Sequence, residues 1–309
     1  MKDGLLLVDK HGGCTSHDIV QQVRRLLGQK KTGHCGTLDP SATGLLLLTL
    51  GRATRLTRFL IQAPKVYEGT IRLGIETDTY DAAGEVAATK PTEGITFEAV
   101  SEAMTQFEGV IEQQAPRYSA KKIKGQKFYE LARRGEEVPV EIKAVTVYEF
   151  SPQGGLEEDR IRFRLGCTSG TYARSLAHDL GQALGCGGHL ESLRRLQIGD
   201  FKVDTAKTLE ALEELAETQE TKGSDLSWIG SSWIPFDAIP LPFQDLVVDP
   251  VQEERIQHGQ TVLVQDLRAE EGDWIKLVNR RRVFVAVGTV TERIGSRGVA
   301  VIQPRVVFT

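Results

Sequence analysis

The stretch Gly33-His34-Cys35-Gly36-Thr37-Leu38-Asp39-Pro40-Ser41-Ala42-Thr43-Gly44 runs straight into the apolar tract Leu45–Leu50, and no other part of the chain restricts its fold so tightly. Glycines at this density give the backbone conformations closed to other residues. One reading is a phosphate cradle. The P-loop pattern, however, places Lys and then Ser or Thr directly after its second glycine. Gly28 and Gly33 have the spacing, but His34 and Cys35 stand in those places. With no lysine to reach terminal phosphates, nucleotide hydrolysis is disfavoured. The other reading is a plain turn, since Asp-Pro pairs commonly make one, and composition alone gives Asp39-Pro40 no more than that.

The flanking sequence supplies elements on both sides. Leu5–Val8 reads as a first strand, and Ile19, Val20, Val23, Leu26 and Leu27 have helical spacing that Gly28 stops. Tyr67, Gly69, Ile71, Leu73 and Ile75 alternate with Glu68, Thr70 and Arg72, so 66–75 is a half-buried strand. Thr96 opens a helix with Val100, Ala103, Met104 and Phe107 on one face, ended by Gly109. Val145–Phe150 and the alternation of Ile161, Phe163 and Leu165 with Arg160, Arg162 and Arg164 give two more strands, followed by a helix through Leu176 and Leu180. Leu193, by spacing alone, is a helix-face leucine. An acidic helix at Glu210–Glu220 gives way to a proline-bearing stretch, Trp228–Pro242, which reads as a linker. Beyond it, a hairpin turning at Asn279-Arg280 and a strand at Val299–Phe308 suggest a small β-barrel.

A chain of 309 residues, 40% of them hydrophobic, accommodates one large domain and a small one. No apolar run approaches a membrane span, and the N-terminus enters a strand without a leader pattern, so cytoplasmic residence is expected. Cys14, Cys35, Cys167 and Cys186 are widely spaced, with no C-x-x-C pair and no His-x-x-x-His, so reduced thiols and no metal site are expected. The net charge of −4 excludes a general nucleic-acid coat, but its distribution is uneven. Residues 1–70 carry ten Lys/Arg against five Asp/Glu, and 117–134 carry seven against one. Residues 211–309 carry ten against fifteen. Two positive patches on a mildly acidic body suit local contact with phosphates.

Taken whole, the glycine-rich string resembles the signature of the TruB family of pseudouridine synthases, G-H-x-G-T-L-D-P-x-A-x-G-x-L. The resemblance recurs along the chain. Leu5–Lys10 with Gly13–Asp18 is similar to the family's opening motif, departing at His11, where proline is usual. Lys65-Val66-Tyr67-Glu68 resembles its K-x-Y motif. Gln114–Ala120 with Lys122 and Gly125 resembles its RNA-gripping insertion. Cys167–Arg174 resembles the motif with the arginine partner of the aspartate, and Gly185–Leu190 with Leu193–Leu196 its last stretch.

This resemblance implies an α+β fold: a pseudouridine synthase core with a mixed, mainly antiparallel sheet flanked by helices and loops, plus a small PUA-like C-terminal β-barrel. Residues 1–240 would form the catalytic domain, with an RNA-gripping insertion at about 113–143, and 241–309 the PUA-like RNA-binding domain. The implied reaction isomerises uridine to pseudouridine at position 55 in the T-loop of tRNA. Asp39 would act on a uridine flipped out of its stack, with Arg174 orienting it and lowering its pKa. Tyr67 would lie over the uracil, and Tyr172 and Leu193 would contact the substrate. His34 would fill the vacated space, while Lys121, Lys122 and Lys124 would meet phosphates. The chemistry implies no cofactor and no metal, and the partner would be the T-arm stem-loop of tRNA, bound by a monomer without an obligatory protein partner. Two alternatives share these residues: a guide-RNA-dependent or ribosomal-RNA pseudouridine synthase, and a tRNA-binding or folding protein without catalysis. Acylal, Michael and glycal routes all use the same carboxylate.

Overall fold

The computed structural model describes residues 2–114, 122–123, 126–127, 142–218, 225–295 and 298–308. In chain order its elements begin with strand β1 (Gly4–Lys10), helix α1 (Ser16–Leu27), and strands β2 (Thr32–His34) and β3 (Thr43–Leu50). A 3-10 turn (Gly51–Leu56) and the short α2 (Thr57–Leu60) lead to β4 (Lys65–Leu73), β5 (Ile75–Thr77), β6 (Val86–Thr89), α3 (Phe97–Thr105) and β7 (Gly109–Gln114). A small hairpin, β8 (Lys122–Ile123) and β9 (Gln126–Lys127), precedes β10 (Ile142–Glu157), β11 (Arg160–Cys167), α4 (Ala173–Ala183), β12 (Gly188–Ile198), β13 (Phe201–Lys202) and α5 (Leu209–Glu217). Then come β14 (Trp233–Pro235), β15 (Gln244–Val248), α6 (Pro250–Gln257), β16 (Val262–Val264), β17 (Trp274–Asn279), β18 (Phe284–Ile294) and β19 (Val299–Val307).

The large sheet runs β14-β1-β3-β12-β4-β11-β10-β7, with β2 and β13 attached beside it. All its pairings are antiparallel except β3 with β12. The apolar runs of β1 and β3 follow from their place in it. Leu5, Leu7, Leu45 and Leu47 enter one core cluster, while Leu6, Val8, Leu46 and Leu48 enter another on the opposite face. A strand covered on both faces is apolar at every position rather than every second one. One cover is α1, which starts with a capping box between Thr15 and Asp18 and ends at Gly28 in the left-handed region, φ 61°. Its Ile19, Val20, Val23 and Leu27 are buried. On the other half of the sheet, Ile71, Phe163, Leu165 and Phe150 pack against Val100 and Met104 of α3 and Leu176 and Leu180 of α4.

The C-terminal sheet, ordered β15-β17-β18-β19-β16, curls into a half-barrel of the PUA-like kind. Its ring cluster of Phe284, Phe308 and Trp274 joins the core that includes Leu5 and Phe59. Arg52 lies 4.6 Å from the centroid of Phe236, Arg55 5.2 Å from Phe308, and Arg58 5.3 Å from Trp274. Three arginines from one turn-and-helix segment thus stack on aromatic faces, Arg55 and Arg58 on rings of the C-terminal region and Arg52 on Phe236 just after β14.

Several expectations change. The stretch read as a linker contains β14, which pairs with β1 from Gly4↔Pro235 to Leu6↔Trp233, and its Phe236 and Ile239 are buried. Its Pro235 sits at the end of an edge strand, where a missing N–H costs no ladder bond, while Pro240 and Pro242 lie in the connection to β15. Leu193 lies on β12, not on a helix; bulges at Leu190/Ser192 and Arg195/Gln197 break the two-residue alternation and mimic helical spacing. The helix opened by Thr96 ends at Thr105, before Gly109. Lys121 and Lys124 lie outside the described residues, and for Lys122 the backbone of β8 is what is described.

Among the described strands, the parallel pairing of β3 with β12 depends on a glycine. Gly44 has φ +98°, and a Cβ there would stand 2.3 Å from the carbonyl oxygen of Arg195. Gly44→Ala is expected to cost about 3 kcal/mol, from left-handed strain plus overpacking, read as a lowered midpoint in urea unfolding.

Candidate active site

The loop after β2 is tied down from three directions, which fixes where Asp39 points. Ser16 Oγ accepts the Leu38 N–H at 2.9 Å and donates back to the Leu38 carbonyl at 3.2 Å. The fully buried Lys10 ammonium donates to the carbonyls of Asp39 at 3.3 Å, Pro40 at 3.2 Å and Ala42 at 2.6 Å. Arg195 donates to the Gly36 carbonyl at 3.1 Å. A loop satisfied at so many backbone positions holds its side chains in register.

Asp39 opens onto a cavity of about 350 Å³, shared with Tyr67, Tyr172, Arg174, Leu193, Lys65 and Arg195. Arg174, near the start of α4, meets the carboxylate as a fork: Nε to Oδ2 at 3.1 Å and Nη2 to Oδ1 at 3.3 Å. Its Nη1 reaches Asp81 Oδ2 at 3.3 Å. Asp81 is fixed in turn by Thr79 Oγ1 at 2.7 Å and the Ala83 N–H at 3.0 Å. One guanidinium therefore bridges two carboxylates. The Arg174 side chain is 8% exposed and that of Asp39 37%, so the arginine is the buried anchor and the aspartate faces the cavity. The start of α4 is held by buried Gln113 of β7, which accepts the Tyr172 N–H at 2.7 Å and donates to its carbonyl at 2.9 Å.

The electrostatics correct one expectation. Arg174 does pull the Asp39 pKa down, but burial is the larger influence and nearby Asp81 adds to it, so the net displacement is upward. Burial likewise raises the Tyr67 phenol, which accepts a hydrogen bond from Arg195 and stays protonated at neutral pH. Lys65 is pushed down to about 8 by burial and then by Arg195. The thiols of Cys35 and Cys167 are driven up to about 12 and about 11 by burial, out of reach of thiolate chemistry.

Of the residues singled out from the sequence, Asp39, Tyr67, Tyr172, Arg174 and Leu193 come together at one cavity. His34 does not line it: the ring sits half-buried at the end of β2, beside Cys35, with Nδ1 enclosed and burial lowering its pKa. Lys10, Asp81 and Arg195 are neighbours of the cavity that sequence reasoning passed over. Lys10 and Arg195 lay within quoted motifs. Asp81, in a turn outside every motif, gave no signal of its own.

The sheet and the paired carboxylate meet a consistent set of relatives. Residues 24–173 match the family model "TruB family pseudouridylate synthase (N terminal domain)", and 174–241 match "tRNA pseudouridylate synthase B C-terminal domain". The chain is 42% identical over 289 residues to the tRNA pseudouridine synthase B of Solibacter usitatus, covering 93% of this chain and 96% of that one. It is 52% identical over 213 residues to that of Aromatoleum aromaticum, covering 69% and 68%. Among solved structures, a Cbf5-Nop10-Gar1 complex matches with TM-score 0.76 at 26% identity, over 99% of this chain and 85% of that one. An H/ACA RNP bound to a substrate RNA containing 2'-deoxyuridine matches with TM-score 0.76 at 24% identity, over 100% and 86%, a likeness of fold. Fold and sequence agree on the class, an enzyme of the pseudouridylate synthase type. Within that class, the chain belongs to the TruB family. The boundary between the two family models falls at the start of α4, inside the large sheet rather than between the sheets.

Were Asp39 to react as its anion, kcat/KM would rise with pH through the pKa of this carboxyl, at a midpoint above the ordinary aspartate value. Asp81→Asn removes a like charge and is expected to move that acid limb to lower pH. Arg174→Met removes the attraction and is expected to move it higher. Shifts in the same direction would show that the two partners do not act through Asp39.

Proposed function

We propose that this chain isomerises uridine to pseudouridine at position 55 in the T-loop of tRNA, with Asp39 as the catalytic carboxylate and Arg174 and Tyr67 as its partners. The observation that carries this reading is the Asp39–Arg174 fork opening onto a cavity beside Tyr67. The names of the full-length relatives support tRNA as substrate. The reaction breaks N1–C1′, turns the uracil and joins C5 to C1′; a proton leaves C5 and one is gained at N1. A carboxylate can serve either as nucleophile at C1′, displaced when C5 attacks, or as a base that takes the C2′ proton and returns it. A uridine within a folded loop must first be extruded. In this reading Tyr67 stacks on the extruded base, Tyr172 and Leu193 line its path, and His34, outside the cavity wall, acts on the RNA left behind. Residues 1–240 catalyse, and 241–309 add a PUA-like RNA contact.

Incubation of the chain with unmodified tRNA transcript, without guide RNA or a second protein, followed by carbodiimide-blocked primer extension, tests it. Product at the T-loop uridine is expected. Product only after addition of a guide RNA and its proteins would select the reading suggested by the Cbf5-like fold. Asp39→Asn is expected to cut turnover at least about 10³-fold with tRNA affinity retained. Burial opposes the ionised Asp39, a cost the folded state bears at neutral pH, so the variant's melting temperature should be equal or higher.

The segment around β8 and β9 would grip phosphates. Replacement of Lys121, Lys122 and Lys124 together by Gln is expected to weaken tRNA binding and lower the slope of log K against log salt by about 2 to 3. An unchanged slope would remove the grip from the account.

A further inference from the structure

The wall of the cavity holds two cations that the Asp39 chemistry leaves unused. Lys65 is 5% exposed and Arg195 1% exposed, yet both line the cavity. Gly36 lies against both: a Cβ there would be 3.5 Å from Arg195 Nη1 and 3.5 Å from Lys65 Cε. Lys65 Nζ donates to the carbonyls of Ile61 and Ala63, each at 2.8 Å, which leaves its third N–H. Arg195 donates through Nε to the Leu45 carbonyl at 2.7 Å and through Nη2 to that of Gly36, and also holds the Tyr67 hydroxyl. Among the described residues neither has a carboxylate at ion-pair distance, in contrast to Arg174 with two. Buried like charges without a counter-ion destabilise a fold. Their retention at a cavity points to an anion that arrives with the substrate.

We propose that Lys65 and Arg195 form the electrostatic floor for the uracil as it leaves C1′ carrying the electron pair of the broken N1–C1′ bond. This inference rests on the pseudouridine reading. Heterolysis places that pair on N1, delocalised over O2 and O4, while Asp39 either bonds C1′ or takes the C2′ proton. Two fixed cations in a site of low dielectric lower the energy of this uracil anion relative to the neutral base. They also hold it while it turns to present C5. When the C5–C1′ bond forms, the C5 proton leaves, N1 gains one, and the negative charge disappears. Arg195 has a further positioning role, since its contacts join the Asp39 loop, β3 and Tyr67.

Two tRNA substrates that differ in the acidity of the departing base provide the test: one with uridine and one with 6-azauridine at the target position. The second base is more acidic and keeps its C5–H. Lys65→Met should lose about 10²-fold in kcat on uridine with little change in KM, and much less on 6-azauridine. Lys65→Arg should restore most of the loss. Thermal unfolding should show Lys65→Met close to the parent in stability, because relief of the repulsion with Arg195 offsets the loss of its bonds to the Ile61 and Ala63 carbonyls. Around Lys65 stand Arg195 from β12, Cys167 from β11, Cys35 after β2, Lys143 from β10 and Tyr67 on its own strand. The two thiols and the phenol titrate well above it. Parent kcat should therefore fall as pH rises through about 8, and Lys65→Arg should move that limb upward. An equal loss on both substrates, or a fall in stability that tracks the loss of activity, overturns the proposal. Arg195→Gln removes the second cation and should show the same substrate dependence, an independent readout should Lys65→Met fail to fold. A parent chain with no activity on either tRNA would instead refute the pseudouridine reading itself.

Discussion

One guanidinium between two carboxylates organises the cavity of this molecule. Arg174 reaches Asp39 from α4 and Asp81 from the turn after β5, so three segments distant in sequence converge on a planar group with fixed donor directions. Arginine suits the position because it cannot give up its proton and donates in a rigid fork. The geometry leaves the Asp39 carboxylate oriented yet open, while Asp81, buried and bonded on its other oxygen, serves as the fixed end of the bridge. Burial opposes the charge on Asp39 and Arg174 favours it. The two influences together keep the group more basic than a surface aspartate while still paired.

The large sheet exists, in effect, to bring that bridge to a cavity. The central position of β3 requires apolar residues on both of its faces, and the glycine-rich loop before it is where the backbone leaves the sheet and carries Asp39 outward. Gly44 permits the close approach of β12, which places Leu193 and Arg195 at the same cavity. Lys10 and Ser16 complete the restraint through backbone groups alone, leaving the carboxylate unencumbered.

Much of this was legible in the sequence where local rules govern. The strand periodicity of 66–75, the helix stopped at Gly28 and the glycine-rich string each follow from spacing and backbone freedom. The strand character of Leu193 was hidden because two bulges in β12 shift its alternation to a three-residue spacing. The stretch around Trp233 was misread because prolines signal a break locally, whereas a sheet edge accepts Pro235 for a reason visible only in three dimensions. Asp81 lay beyond reach, since its importance comes wholly from a partner 93 residues away. The direction of the Asp39 pKa shift was misjudged because a sequence names charged neighbours but not how much water they exclude.

The pairing of β14 with β1 ties the order of chain synthesis to the integrity of the sheet. β1 is synthesised well before β14, and its outer edge stays uncovered until residues 233–235 have emerged. During that interval an apolar strand presents unpaired backbone groups, the kind of template that recruits neighbouring chains. The late arrival of Trp233–Pro235 is thus a closing stitch, and Phe236 just after it waits for Phe284 and Phe308 to complete its packing.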